Sequence, residues 1–161
     1  MPMAPEEICR HLGAQKTKSV FHELTSEAMK KVLKEANIPP TSNQISQKKK
    51  KDEWAEKVWK TVEQKAAATT AATLLFEWLT RTRRPMLATF LDGIEVAHSD
   101  GLTDADFMKD TAPEKLVASA KNLLEKHDKA EVAAYLLFLD ASNKSEIFAP
   151  LELERHFSSK G

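Results

Sequence analysis

Four glycines and a single cysteine in 161 residues leave little room for turn-rich β architecture or for covalent staples. Cys9 has no partner for an intramolecular disulfide, and one thiol cannot build a cysteine-based zinc cluster. We read it as a small, partly buried apolar residue. No run of about 18 apolar residues occurs, so no membrane span is expected. The opening segment MPMAPEEICRHLG lacks a basic stretch followed by an apolar one, which argues against secretion and for a cytoplasmic setting. Net charge is zero, with 24 basic and 24 acidic side chains, so no excess of one sign points to a polyanion. Short local signatures of chemistry are missing too. His22-Glu23 lacks the second histidine of a zinc-protease helix, and no nucleophile elbow, phosphate loop or dinucleotide fingerprint is found. No catalytic residue, metal ligand or cofactor is assigned, and the reading leans away from an enzyme.

What the chain does have is helix chemistry. Ala, Lys, Glu and Leu abound while aromatics make up 7%, the balance of straight-chain helix formers rather than strand formers. Val20, Phe21, Leu24, Met29, Val32, Leu33 and Ala36 recur at three- and four-residue steps, the spacing of one helix stripe. Thr25-Ser26-Glu27 can start a new helix inside that stripe, splitting it in two. Ile38-Pro39-Pro40 ends it, because a residue before proline is pushed out of the α region. Residues 39–51 form a polar, lysine-rich connection, and a helix is expected from Asp52, with Trp54, Val58 and Val62 on one face. Residues 66–82 are apolar nearly all round, which predicts a central helix. Pro85 suits the first turn of a further helix over Met86–Leu91. Residues 94–111 then read as an irregular acidic loop with at most one helical turn near Thr103–Phe107. Thr111-Ala-Pro-Glu114 has the spacing of a capping box, and Asp128 with Glu131 repeats an acidic start signal. A short helix over Pro150–Phe157 closes the chain. The expectation is one all-α domain over residues 1–161, a compact bundle of about seven to nine helices.

Three constellations could carry binding. Lys48, Lys49, Lys50 and Lys51 with Trp54 could meet phosphates and stack a base, but Asp52, Glu53 and Glu56 follow at once and blunt the field. Arg81, Arg83 and Arg84 end a helix, where cations complement the dipole, or could grip a carboxylate. His98, Asp100, Asp104 and Asp106 gather oxygens and an imidazole in the acidic loop. Their spacing fails the calcium-loop template, and Asp100-Gly101 is first of all a turn. A loop of this length in a helical domain is nonetheless often functional.

The run Arg83–Gly101, RRPMLATFLDGIEVAHSDG, and the later Tyr135–Asp140, YLLFLD, resemble small uncharacterised helical bacterial proteins. Those proteins have an arginine-proline helix, a glycine turn and a His-x-Asp-Gly loop. The resemblance spans about residues 70–140 and implies a helical fold without implying an activity.

Charge is split along the chain: residues 1–91 carry 16 basic and 10 acidic side chains, and residues 92–161 carry 8 and 14. With apolar faces to spare, this favours a non-enzymatic protein-interaction module, adaptor or regulatory, that binds another protein or itself. One alternative is a small-ligand binder or enzyme using a pocket near the 94–111 loop. The other is nucleic-acid binding through the basic patches, which the neutral net charge disfavours.

Overall fold

The structure, a computed structural model, describes residues 2–38, 47–64 and 67–157. It is 75% helical, and among the described residues there are nine α-helices and no strand. The all-α expectation holds. The elements are α1 (Pro5–Leu12), α2 (Ala14–His22), α3 (Ser26–Glu35), α4 (Gln47–Gln64), α5 (Ala68–Thr82), α6 (Arg84–Gly93), α7 (Phe107–Asp110), α8 (Pro113–Lys126) and α9 (Lys129–Asn143). Two 3-10 turns follow, Ala149–Leu151 and Leu153–His156. Backbone packing divides the chain into two compact units, Ala4–Trp78 and Leu79–Gly161 with Met1–Met3.

In the first unit, Pro5 opens α1 without cost, since a first-turn N–H has no helical partner. Gly13, at φ 92°, separates α1 from α2. Thr25 caps α3, its hydroxyl oxygen accepting from the Ala28 N–H at 3.1 Å. The expected break in the first apolar stripe is therefore real. α4 packs on both α1 and α2. Arg10 Nε donates to the Val62 carbonyl at 2.9 Å, and the pairs Lys18–Glu56 (2.8 Å) and His22–Asp52 (3.1 Å) join α2 to α4. The fully buried interior includes Ile8, Cys9, Phe21, Met29, Val32, Val62, Leu74 and Trp78.

In the second unit, α8 packs on α6 and on α9. Phe90 lies at the centre, fully buried, edge to face with Tyr135 (5.7 Å), Phe107 (6.1 Å) and Phe148 (6.2 Å). Such edge contacts set the positive rim of one ring on the negative face of another. Ser119 Oγ donates to the Phe90 carbonyl at 2.8 Å. A Cβ at Gly93 would collide with that hydroxyl, so glycine is what lets α6 approach α8 so closely. After α9, Asp140 accepts from Ser145 Oγ (2.7 Å), Ile147 N–H (3.0 Å) and Phe148 N–H (3.1 Å), tying down the following turn.

Several boundaries differ from expectation. α4 begins at Gln47 rather than Asp52, so Lys48–Lys51 are helical and only residues 39–46 of the expected connection lie outside the described residues. Lysine is a good helix former, and the sequence offered no breaker after Gln47. The single helical turn of the acidic loop falls at Phe107–Asp110, just past the expected place. Thr111 does not cap α8: Pro113 occupies the first helical turn, which makes Ala112 the cap residue, with no side-chain bond, while Thr111 ends α7 with its N–H on the Phe107 carbonyl. Asp128 does cap α9, accepting from the Glu131 N–H at 3.0 Å. The closing helix is instead the pair of 3-10 turns, parted by Glu152 at φ 49°.

Candidate functional site

The arginines at the α5–α6 junction and the acidic loop belong partly to one cluster. Arg84 Nε donates to the Thr80 carbonyl at 2.9 Å, which turns its guanidinium across the junction, and Nη1 reaches Asp100 Oδ2 at 3.3 Å. Asp100 and Gly101 both have positive φ, 53° and 88°. Ser99 and Leu102 exchange both backbone hydrogen bonds around them, at 2.8 and 3.0 Å. That is a two-residue turn of the Asp-Gly type. Gly101 is buried, and a Cβ there would sit 2.7 Å from the Arg84 carbonyl oxygen. The loop thus lies directly on the first turn of α6.

His98 completes the cluster, with a side chain 14% exposed. Its Nδ1 accepts from the Gly101 N–H at 2.9 Å, and its Nε2 lies 2.8 Å from Asp92 Oδ1. A nitrogen that accepts from a backbone N–H carries no hydrogen of its own. The proton of the neutral ring therefore sits on Nε2 and points at Asp92. Both nitrogens are engaged, so the ring can bind a metal or take a proton from a substrate only by giving up one of these bonds. Its arrangement suits holding the loop against α6.

Arg83 turns elsewhere. It forks onto Glu131 of α9, Nε to Oε1 at 2.8 Å and Nη2 to Oε2 at 3.0 Å, and its Nη1 donates to Thr82. Arg81 is exposed on α5. Asp104 and Asp106 are exposed, and Asp106 starts α7 through its backbone carbonyl, which accepts from Lys109 and Asp110 N–H. The structure therefore gathers His98, Asp100 and Arg84 and leaves Arg81, Arg83, Asp104 and Asp106 outside that cluster. Sequence reasoning missed Asp92 and Glu131. Asp92 lies six residues before His98 with no periodic signal linking them, and Glu131 is distant in the chain. Glu95, at φ 59°, meets Lys115 Nζ at 2.7 Å, and that hydrogen bond, then the charge, lowers its carboxyl below the ordinary range.

Among the described residues, no group of three or more His, Cys, Asp or Glu side chains is placed to hold a metal ion. Burial pushes the Cys9 thiol up to about 12, which takes away thiolate reactivity at neutral pH. Burial also raises the Tyr135 phenol. In the basic tract, Lys50 Nζ lies 5.9 Å from the Trp54 ring centroid, while Trp54 itself is 6% exposed and so part of the core. A stacking platform needs an open ring face. Lys49 is exposed, and the Lys48 side chain lies outside the described residues.

The one large apolar side chain exposed among the described residues is Phe76 of α5, at 52%. On its helix face it is joined by Thr69, Ala72 and Thr73, which are exposed or half-buried and uncharged. These positions fall within one stripe of about 100°. Leu74, Leu75 and Trp78 of the same helix are fully buried.

No protein-family model matches the sequence, and no curated protein and no solved structure matches it either. No described helix is long and apolar enough to cross a membrane.

Proposed function

We propose that this chain is a protein-interaction module, adaptor or regulatory in kind, that docks another protein through the Phe76 face of α5. The observation that carries the reading is Phe76 itself, half exposed on an α5 stripe that it shares with Thr69, Ala72 and Thr73, in a chain whose side chains are 30% charged. A single exposed apolar residue is ordinary on a protein surface. An aromatic ring with small uncharged neighbours is a different matter. It offers a large rigid contact area with little side-chain entropy to lose, the property that makes aromatics binding anchors. Support of a second kind comes from His98 and Cys9. One has both ring nitrogens engaged and the other is sealed in the core, so neither is poised for chemistry.

The test is affinity capture with wild type and Phe76→Ser side by side, each first shown folded by circular dichroism. The reading expects a defined protein that is retained by wild type and lost with Phe76→Ser. Equal retention by both, or retention by neither, contradicts it. Light scattering on the same pair tells whether the docked protein is a second copy of this chain.

A further inference from the structure

Independently of the docking reading, the His98 cluster holds a turn in place through a nitrogen that a second proton would occupy. The turn Ser99–Leu102 lies on the start of α6. A Cβ at Gly101 would meet the Arg84 carbonyl oxygen at 2.7 Å, Leu87 Cβ at 3.1 Å and the Ala88 nitrogen at 3.2 Å. Leu87 is buried. Two side chains pin the turn there. Arg84 Nη1 reaches Asp100 Oδ2 at 3.3 Å, and His98 Nδ1 accepts from the Gly101 N–H at 2.9 Å. The first is a surface pair, with side chains 40% and 70% exposed, and such pairs contribute little. The His98 bond is partly buried and ends on a backbone N–H that loses its acceptor if the bond breaks. It is the stronger of the two.

A second proton reverses that contact. A charged imidazole donates at both nitrogens and accepts at neither. The new N–H on Nδ1 would point at the Gly101 N–H, so the bond is lost and two donors face each other. At Nε2 the same charge gains the Asp92 carboxylate, 2.8 Å away. Asp92 is 74% exposed, so water screens that gain and it is the smaller effect. Two further carboxylates of the loop are already engaged, Asp100 by Arg84 of α6 and Glu95 by Lys115 of α8 at 2.7 Å. The charged ring therefore keeps Asp92 and gives up Gly101.

We infer that His98 is an acid-operated latch: when its ring takes a second proton, residues 99–102 lift from α6, uncover Leu87 and release Arg84 from Asp100. The opened form presents an apolar side chain beside a freed guanidinium. The closed form presents neither.

The test is an NMR titration of the full chain over the span in which histidines ordinarily charge, about pH 8 to about pH 5. It reads the His98 Hε1 shift together with the exchange protection of the amides. The Gly101 amide should lose protection about tenfold in step with His98 protonation, while Leu136 of α9 keeps its own. His98→Asn leaves an oxygen acceptor near the Nδ1 position and cannot titrate, so its Gly101 amide should stay protected throughout. Gly101 protection that holds while His98 protonates overturns the latch, as does a ring that takes no proton across the range. Equal loss at Leu136 overturns it too, because the whole unit would then be unfolding. These three are read on wild type and need no variant. The same acid loss in His98→Asn also overturns the latch, since the trigger would then be another group.

Discussion

Arg83 and Glu131 meet as a two-pronged ion pair across 48 residues of chain, with side chains 23% and 14% exposed. A planar fork on a carboxylate in a partly dry setting is worth more than a surface pair, because both charges have already lost much of their water. Glu131→Gln and Arg83→Lys should each cost about 1–3 kcal/mol. A double-mutant cycle by urea denaturation should give a coupling of about 1 kcal/mol or more. Strict additivity of the two changes would show that the pair is not coupled.

Gly101→Ala should destabilise the protein more than Gly13→Ala does. Positive φ and the Arg84 carbonyl at 2.7 Å from the new Cβ act together. Strain of this kind costs about 1–3 kcal/mol, before any loss of the His98 bond. Gly13 is the control for crowding, since a Cβ there meets nothing within 4 Å and only the backbone conformation is strained. Thermal melts of the two alanine variants should rank Gly101→Ala as the less stable; the reverse order would mean that crowding at Arg84 is relieved cheaply.

Asp140 offers a pH-dependent test. Burial raises its carboxyl above the ordinary range, although its bonds from Ser145, Phe148 and Ile147 pull the other way. A raised folded value means that the native state holds the proton more tightly than the unfolded chain. The contribution to stability is fully present below the unfolded value, about 3.9, and is lost as pH rises through the folded value. Asp140→Asn removes an acceptor and should destabilise by about 1–3 kcal/mol, by more at acid pH than at neutral pH. Denaturant midpoints at two pH values check this, and a larger loss at neutral pH would reverse the sign.

Cys9, fully buried with its thiol pushed up to about 12, should resist alkylation in the native protein and react once the chain is unfolded. Mass spectrometry after iodoacetamide treatment, with and without denaturant, reads this directly. Rapid native labelling would mean that α1 opens easily.

Helix content was legible because period and punctuation agree locally. Thr25 and Asp128 cap the helices their positions announce, Pro85 opens α6, and Asp100-Gly101 forms its turn. Where a residue's role depends on distant chain, sequence reasoning fell short. Nothing near Arg83 announces Glu131, and although Asp92 and Gly101 lie close to His98 in the chain, no periodic pattern announces that they take both ring nitrogens. Thr111 misled because Pro113 fixes the start of α8 one residue later than the capping spacing implied. The lysines of α4 misled because a charge run reads as linker when no apolar residue interrupts it. Phe76 could not be told from Leu75 by type. Which of the two faces outward depends on how α5 is packed.

The claim that α5 presents a contact face is tested most directly by placing a photo-crosslinking phenylalanine analogue at position 76, with Glu63, exposed on α4, as the control position. Irradiation should give a discrete adduct with another polypeptide from position 76 and none from position 63. No adduct from position 76, or the same adduct from both positions, would contradict the account.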